Sequence, residues 1–142
     1  MAALTLDEAR RISAAAEARA AALGCSVSIT IVDGGGHIRV QNRMDGTRFG
    51  TLAVSASKAV TAAAFGVPTK ILTELTQPGQ SLYGFSDAAG GRIAVFGGGV
   101  PIVRDDAVDG AIGISGGSVE QDVDIADAAA AAAAATAAAA AA

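Results

Sequence analysis

The sequence has one cysteine, one histidine and no tryptophan in 142 residues, and aromatics make up only 4% of it. A single cysteine excludes an intrachain disulfide, and with one histidine beside it a zinc cluster of the cysteine–histidine kind has too few ligands. Cys25 is therefore read as a small core residue at the start of a strand. Basic residues are scarce as well: 10 Lys and Arg against 14 Asp and Glu leave a formal net charge of −4 and a pI of about 4.7. That balance argues against a nucleic-acid backbone or an anionic membrane surface as partner. Outside the terminal alanines, no apolar run approaches the roughly 20 residues of a membrane span. The start, MAALTLDEARR, lacks the basic segment, apolar core and cleavage site of an export signal. These absences predict a soluble domain with a cytoplasmic address.

Several catalytic signatures are missing too. There is no GxxxxGK[ST] phosphate loop, and the Gly34–Gly36 run lies between two strand patterns rather than between strand and helix. HExxH and GxSxG do not occur, so neither a metalloprotease helix nor a nucleophile elbow is encoded, and no metal site is expected.

What is present suits one domain. LTLDEARRISAAAEARAAALG, residues 4–24, opens with Thr5 three residues before Glu8, a capping box, and sets Leu6, Ala9, Ile12, Ala16 and Leu23 along one stripe before Gly24 ends the helix. SVSITIVD and IRVQNRM alternate apolar and polar residues around a turn at Asp33–Gly36, which predicts a hairpin. A helix follows over Thr51–Gly66, then a short one over Thr69–Leu75 with Pro68 in its first turn, and a loop with one or two short turns over residues 79–92. RIAVF and VPIVR read as short strands flanking Gly97–Gly99, and RDDAVDG as the hairpin leading into a last strand, AVDGAIGISGG. Ser118 and Gln121 form a second capping box for a final helix, which the alanines of residues 128–142 extend as a tail that either packs on a neighbouring subunit or frays. The order predicts an α+β domain over residues 1–127, with a five-stranded antiparallel sheet flanked by helices. Alanine supplies much of the 51% hydrophobic content and buries little area, so self-association is expected to add to stability.

Four features invite chemistry. Lys58 is the sole ionisable residue between Phe49 and Thr69, on an otherwise small and apolar helix. Its ammonium either reaches water along its own stem or meets a carboxylate, for which Asp45 and Asp122 are the candidates. His37 follows three glycines and is either a solvent-facing turn residue or a metal ligand, haem ligand or proton carrier. The N–H groups of SGGSVEQD can receive a carboxylate or propionate, unless Ser118 and Gln121 use them as caps. FGGGVPI either opens access to a ligand or makes a bulge in the sheet.

The ordered strings LTLDEAR, VSITIVDGGGHI, RMDG, SASKAVTAAAF, FGGGVPI and GAIGISGGSVEQD resemble the GlcG/HbpS family, which includes the C-terminal domain of PduO-type proteins, from Leu4 to about Asp127. The resemblance implies a profilin-like fold, homo-oligomers that are octamers in some members, and a connection with haem and with corrinoid-related proteins. By motif match it carries over Asp45, Lys58, Gly98, Gly99, Gly116 and Gly117. With Arg43, Ser115, Gln121 and Asp122 from the same strings, the glycines make up the candidate ligand-binding set. Some haem-binding members use a histidine in the first helix, and this one has none. Axial ligation would fall to His37, Tyr83 or a hydroxyl such as Thr5 or Thr61. The expected function is that of an oligomeric small-ligand-binding protein with haem or a related tetrapyrrole as its candidate cofactor. The alternatives are a metal-free enzyme acting on a small carboxylated metabolite, with Lys58 as acid or base and Asp45 orienting it, and a non-catalytic accessory protein.

Overall fold

The computed structural model describes residues 3–141, with side chains as far as residue 135. Helix α1 (Leu6–Ala22) begins where the sequence places it: Glu8 N–H donates to Thr5 Oγ1 at 3.1 Å and the Glu8 carboxylate turns back to the Thr5 N–H. Strands β1 (Ser28–Asp33) and β2 (Ile38–Arg43) form the expected hairpin. Helix α2 (Gly50–Phe65) is closed by Gly66 in the left-handed conformation, and a 3-10 turn (Thr69–Ile71) leads into the short α3 (Leu72–Leu75). Pro68 sits at the cap of that turn rather than inside it. The loop after α3 contains a short turn of helix, α4 (Phe85–Ala88), in keeping with the short turns expected there. Strands β3 (Gly99–Arg104) and β4 (Ala107–Ser115) make the second hairpin, whose turn consists of Asp105 and Asp106, both at positive φ. Residues 107–110 already belong to β4. Helix α5 (Val119–Ala141) completes the chain.

All pairings are antiparallel, in the order β2-β1-β4-β3, so the sheet has four strands and not five. The missing strand is RIAVF. Its backbone takes side-chain partners instead of a ladder: Ala94 N–H donates to Thr61 Oγ1 at 3.0 Å, and Thr73 Oγ1 donates to the Val95 carbonyl at 2.8 Å. These bonds tie Ala94 to α2 and Val95 to α3, and residues 92–96 join no ladder.

Helices α1 and α5 cover one face of the sheet, where Ile29, Ile31, Ile112, Ile114 and Ile125 join Ala9, Ile12 and Ala16 in the main core. Fully burying each Ile contributes about 1.5–3 kcal/mol. Helix α2 covers the other face over Val32, Ala59, Ala62 and Ala111. The polar residues of β1, which alternation alone would assign to solvent, lie under α2. Thr30 and Ser55 hydroxyls are 2.7 Å apart, and Thr51 Oγ1 donates to Ser28 Oγ at 2.8 Å. Small residues permit this approach: a Cβ at Gly113 would meet the Ser55 carbonyl, and one at its register partner Gly99 would meet the Lys58 carbonyl. Helix α5 passes residue 127 without a break, and Ala129 and Ala133 belong to the core. The side chains of the outer alanine tail, and residues Met1, Ala2 and Ala142, lie outside the described residues, so the question of whether the tail meets a subunit falls there.

Candidate functional site

Lys58 faces the sheet side of α2, where Gly98 leaves room for it: a Cβ at Gly98, already at φ +123°, would lie 2.8 Å from Nζ. The side chain is 1% exposed, and Nζ donates to the Ile114 carbonyl at 2.7 Å and to Asp122 Oδ2 at 3.0 Å. The Phe96 ring lies over it, 5.0 Å from Nζ to the centroid. Asp122 is equally buried, and its other oxygen accepts the Gly117 N–H at 2.9 Å. Burial pulls the Lys58 pKa down, opposed by the hydrogen bond and charge of Asp122. Burial likewise pushes the Asp122 pKa up, opposed by Lys58 and by the backbone N–H groups of Gly117 and Gly116. The pair ties α2, β4 and α5 together at one point.

The ammonium therefore meets a carboxylate and does not run out to water. Asp45, the other sequence candidate, is exposed in the turn after β2 and has no hydrogen bond or ion pair among the described residues. It does not orient Lys58 here. Arg43 is exposed at the end of β2 and donates to the Thr47 carbonyl at 3.1 Å. Its register partner is Ser28, which pairs in turn with Ser115, so the three form a row across one end of the sheet.

The start of α5 is occupied by its own side chains. Ser118 N–H donates to Gln121 Oε1 at 2.9 Å, Gln121 N–H to Ser118 Oγ at 3.1 Å, and Gly117 N–H to Asp122. Of the donors considered for a ligand carboxylate at that turn, the N–H groups of Gly117, Ser118 and Gln121 are thus taken up by caps. Among the haem-ligand candidates, the His37 side chain is 81% exposed with Nδ1 3.3 Å from the Asp33 carboxylate, and Tyr83 is 69% exposed. Thr5 caps α1, and Thr61 donates to the Ser57 carbonyl at 2.7 Å while receiving the Ala94 N–H. Neither hydroxyl is idle. No group of three or more His, Cys, Asp or Glu able to hold a metal ion occurs among the described residues.

Sequence reading did not single out the open apolar groove on the outer side of α2. Ala53, Ala56, Ser57 and Val60 line one wall, and Arg92, Ile93, Ala94 and Phe96 the other, in two adjoining hollows of about 300 and 200 Å³ that share Ala53 and Ser57. Positions 53, 56, 57 and 60 follow the i, i+3, i+4, i+7 spacing of one helix face. The signal was present in SASKAVTAAAF, a helix apolar on every side and hence in need of two coverings. Phe96 separates the groove from the Lys58 ammonium.

The family model described as haem degrading protein HbpS-like matches residues 4–131. The chain belongs to the HbpS-like family. Two solved structures share its fold at high similarity. Klebsiella pneumoniae protein ORFY is 37% identical, with a TM-score of 0.91 over 95% of this chain and 93% of that one. The PduOC–haem complex is 40% identical, with a TM-score of 0.88 over 92% of this HbpS-like chain and 95% of that one. The corrinoid adenosyltransferase PduO of Citrobacter freundii is 41% identical over 126 residues, covering 89% of this chain. This HbpS-like chain spans only 38% of that enzyme's length.

Proposed function

We propose that this HbpS-like chain is a small-ligand-binding protein whose ligand is haem or a closely related tetrapyrrole. The observation that carries the reading is the likeness to PduOC, which was solved in complex with haem and is 40% identical over nearly the whole domain. The α2 groove fits the organic part of such a ligand: its walls are Ala, Val, Ile and Phe, and Arg92 at its rim has no ion-pair partner among the described residues. An apolar cleft with one charged contact is the usual build of a small-molecule site. Bound haem would supply iron chemistry, while the chain's own residues supply an apolar wall and a cation for a propionate. We further propose that the protein self-associates, possesses the profilin-like arrangement its family resemblance implies, and works in the cytoplasm.

The test is an absorption titration of the full chain with haemin, repeated on His37→Ala. The expected result is a saturable, stoichiometric Soret shift. No saturable shift overturns the tetrapyrrole reading and leaves a small carboxylated metabolite as the ligand. A second reading, acid–base chemistry at Lys58, draws on the burial that holds its pKa down. It requires Phe96 to move aside, because Nζ donates to the Ile114 carbonyl and to Asp122 and the ring covers it. Unchanged turnover of carboxylated substrates in Lys58→Met would dispose of it.

A further inference from the structure

We infer that the groove between α2 and residues 92–96 holds the tetrapyrrole by its ring and one carboxylate, independently of iron, an inference that rests on the ligand being a tetrapyrrole. The groove lining offers an extended apolar surface, one hydroxyl (Ser57) and one guanidinium (Arg92), but no imidazole, thiolate, thioether or phenol. Iron coordination by nitrogen or sulfur is therefore not available from these walls. What they offer suits the rest of the molecule. Seven residues separate Ala53 from Val60, about 10 Å at 1.5 Å per residue, a length that accommodates the edge of a flat macrocycle. Phe96 is 40% exposed and presents an aromatic surface for stacking, with its ring held from behind by the Lys58 ammonium. Arg92 stands free at the rim, where a bidentate contact to a propionate has no internal competitor.

The one imidazole of the chain comes near this groove only through its turn. A Cβ at Gly36 would lie 3.8 Å from Val60 Cγ1, yet the His37 ring is exposed and directed to the Asp33 carboxylate. Iron ligation by His37 is thus the arrangement against which ring-held binding is to be tested.

The experiment compares haemin, followed by absorption, with metal-free protoporphyrin, followed by its own fluorescence, on the full chain and on Arg92→Glu, Ala53→Glu and His37→Ala. All three positions are exposed, so the variants should fold, which circular dichroism checks. Ring-held binding predicts affinities for the two ligands within about threefold of each other, a loss of about tenfold or more for both in Arg92→Glu and Ala53→Glu, and no loss in His37→Ala. Haemin binding without protoporphyrin binding overturns the inference, as does loss confined to His37→Ala, while the tetrapyrrole reading stands in both cases. If neither ligand binds the unmodified chain, that reading falls and the inference with it. Light scattering on the same samples covers the remaining occupant of this helix face, a second copy. A change of assembly mass in Ala53→Glu with unchanged ligand affinity assigns the face to a subunit contact and overturns the inference.

Discussion

Replacing Lys58 by Met removes the cation from a pair in which both partners are buried, and leaves the Asp122 carboxylate with backbone N–H groups of the turn before α5 and no counter-charge. It also takes a donor from the Ile114 carbonyl. Breaking a buried pair from one side costs about 3–5 kcal/mol, because the remaining charge has been stripped of water without compensation. Domains of ordinary size have about 5–15 kcal/mol in total, so the variant should be severely weakened but still measurable. Urea unfolding at a fixed protomer concentration reads the loss as a lower midpoint with little change in slope. The loss should also depend on pH. Burial raises the Asp122 pKa above its usual 3.8 and Lys58 opposes the rise, so without Lys58 the carboxyl sits higher still. A group whose folded-state pKa is raised favours the folded chain at low pH and loses that contribution as pH climbs through the folded pKa. The deficit of Lys58→Met should therefore be smallest near pH 4 and widen towards neutrality. The double variant Lys58→Met/Asp122→Leu, which removes the stranded acid, should recover part of the loss. A single-variant loss below about 1 kcal/mol that stays flat with pH would refute the reasoning.

Gly113→Ala should destabilise by about 1–3 kcal/mol, read as a fall in Tm, because its Cβ would meet the backbone of α2 at Ser55 and Ala59 and force the helix off the sheet. An unchanged Tm would mean that α2 is not seated as described. Arg104 Nη2 donates to the Glu8 carboxylate at 2.6 Å, and that hydrogen bond, helped by the Thr5 N–H and by smaller charge effects, holds the Glu8 pKa below the usual 4.5 against the opposing effect of burial. Its contribution is present above that value and disappears as pH falls through the lowered folded-state pKa. Glu8→Gln should thus cost about 1 kcal/mol at neutral pH and nothing in strong acid, measured by unfolding at the two pH values. Asp106→Gly should stabilise by about 0.5–1 kcal/mol, since position 106 holds φ +62° in a two-residue hairpin turn that glycine adopts without strain. A higher midpoint in thermal unfolding checks it, and a lower one would indicate that the aspartate makes a contact worth more than the relief.

Local chemistry was legible along the chain because its information lies within three or four residues. The capping boxes at Thr5/Glu8 and Ser118/Gln121, the turn at Asp33–Gly36 and the glycine that ends α1, Gly24, all form where the sequence puts them. The ordered motifs likewise carried the family, which the match over residues 4–131 bears out. What required the tertiary structure was competition among distant partners. RIAVF has the composition of a strand, yet Thr61 and Thr73 take up its hydrogen bonds and the sheet closes with four strands. Ser28 and Thr30 alternate like surface residues, but α2 can descend onto glycine and satisfy their hydroxyls with its own. Lys58 announced by its isolation that it needed a counter-charge. Only packing could choose Asp122, 64 residues away, over Asp45, 13 positions before it, because burial rewards the carboxylate already anchored by a helix start and leaves the exposed one in water.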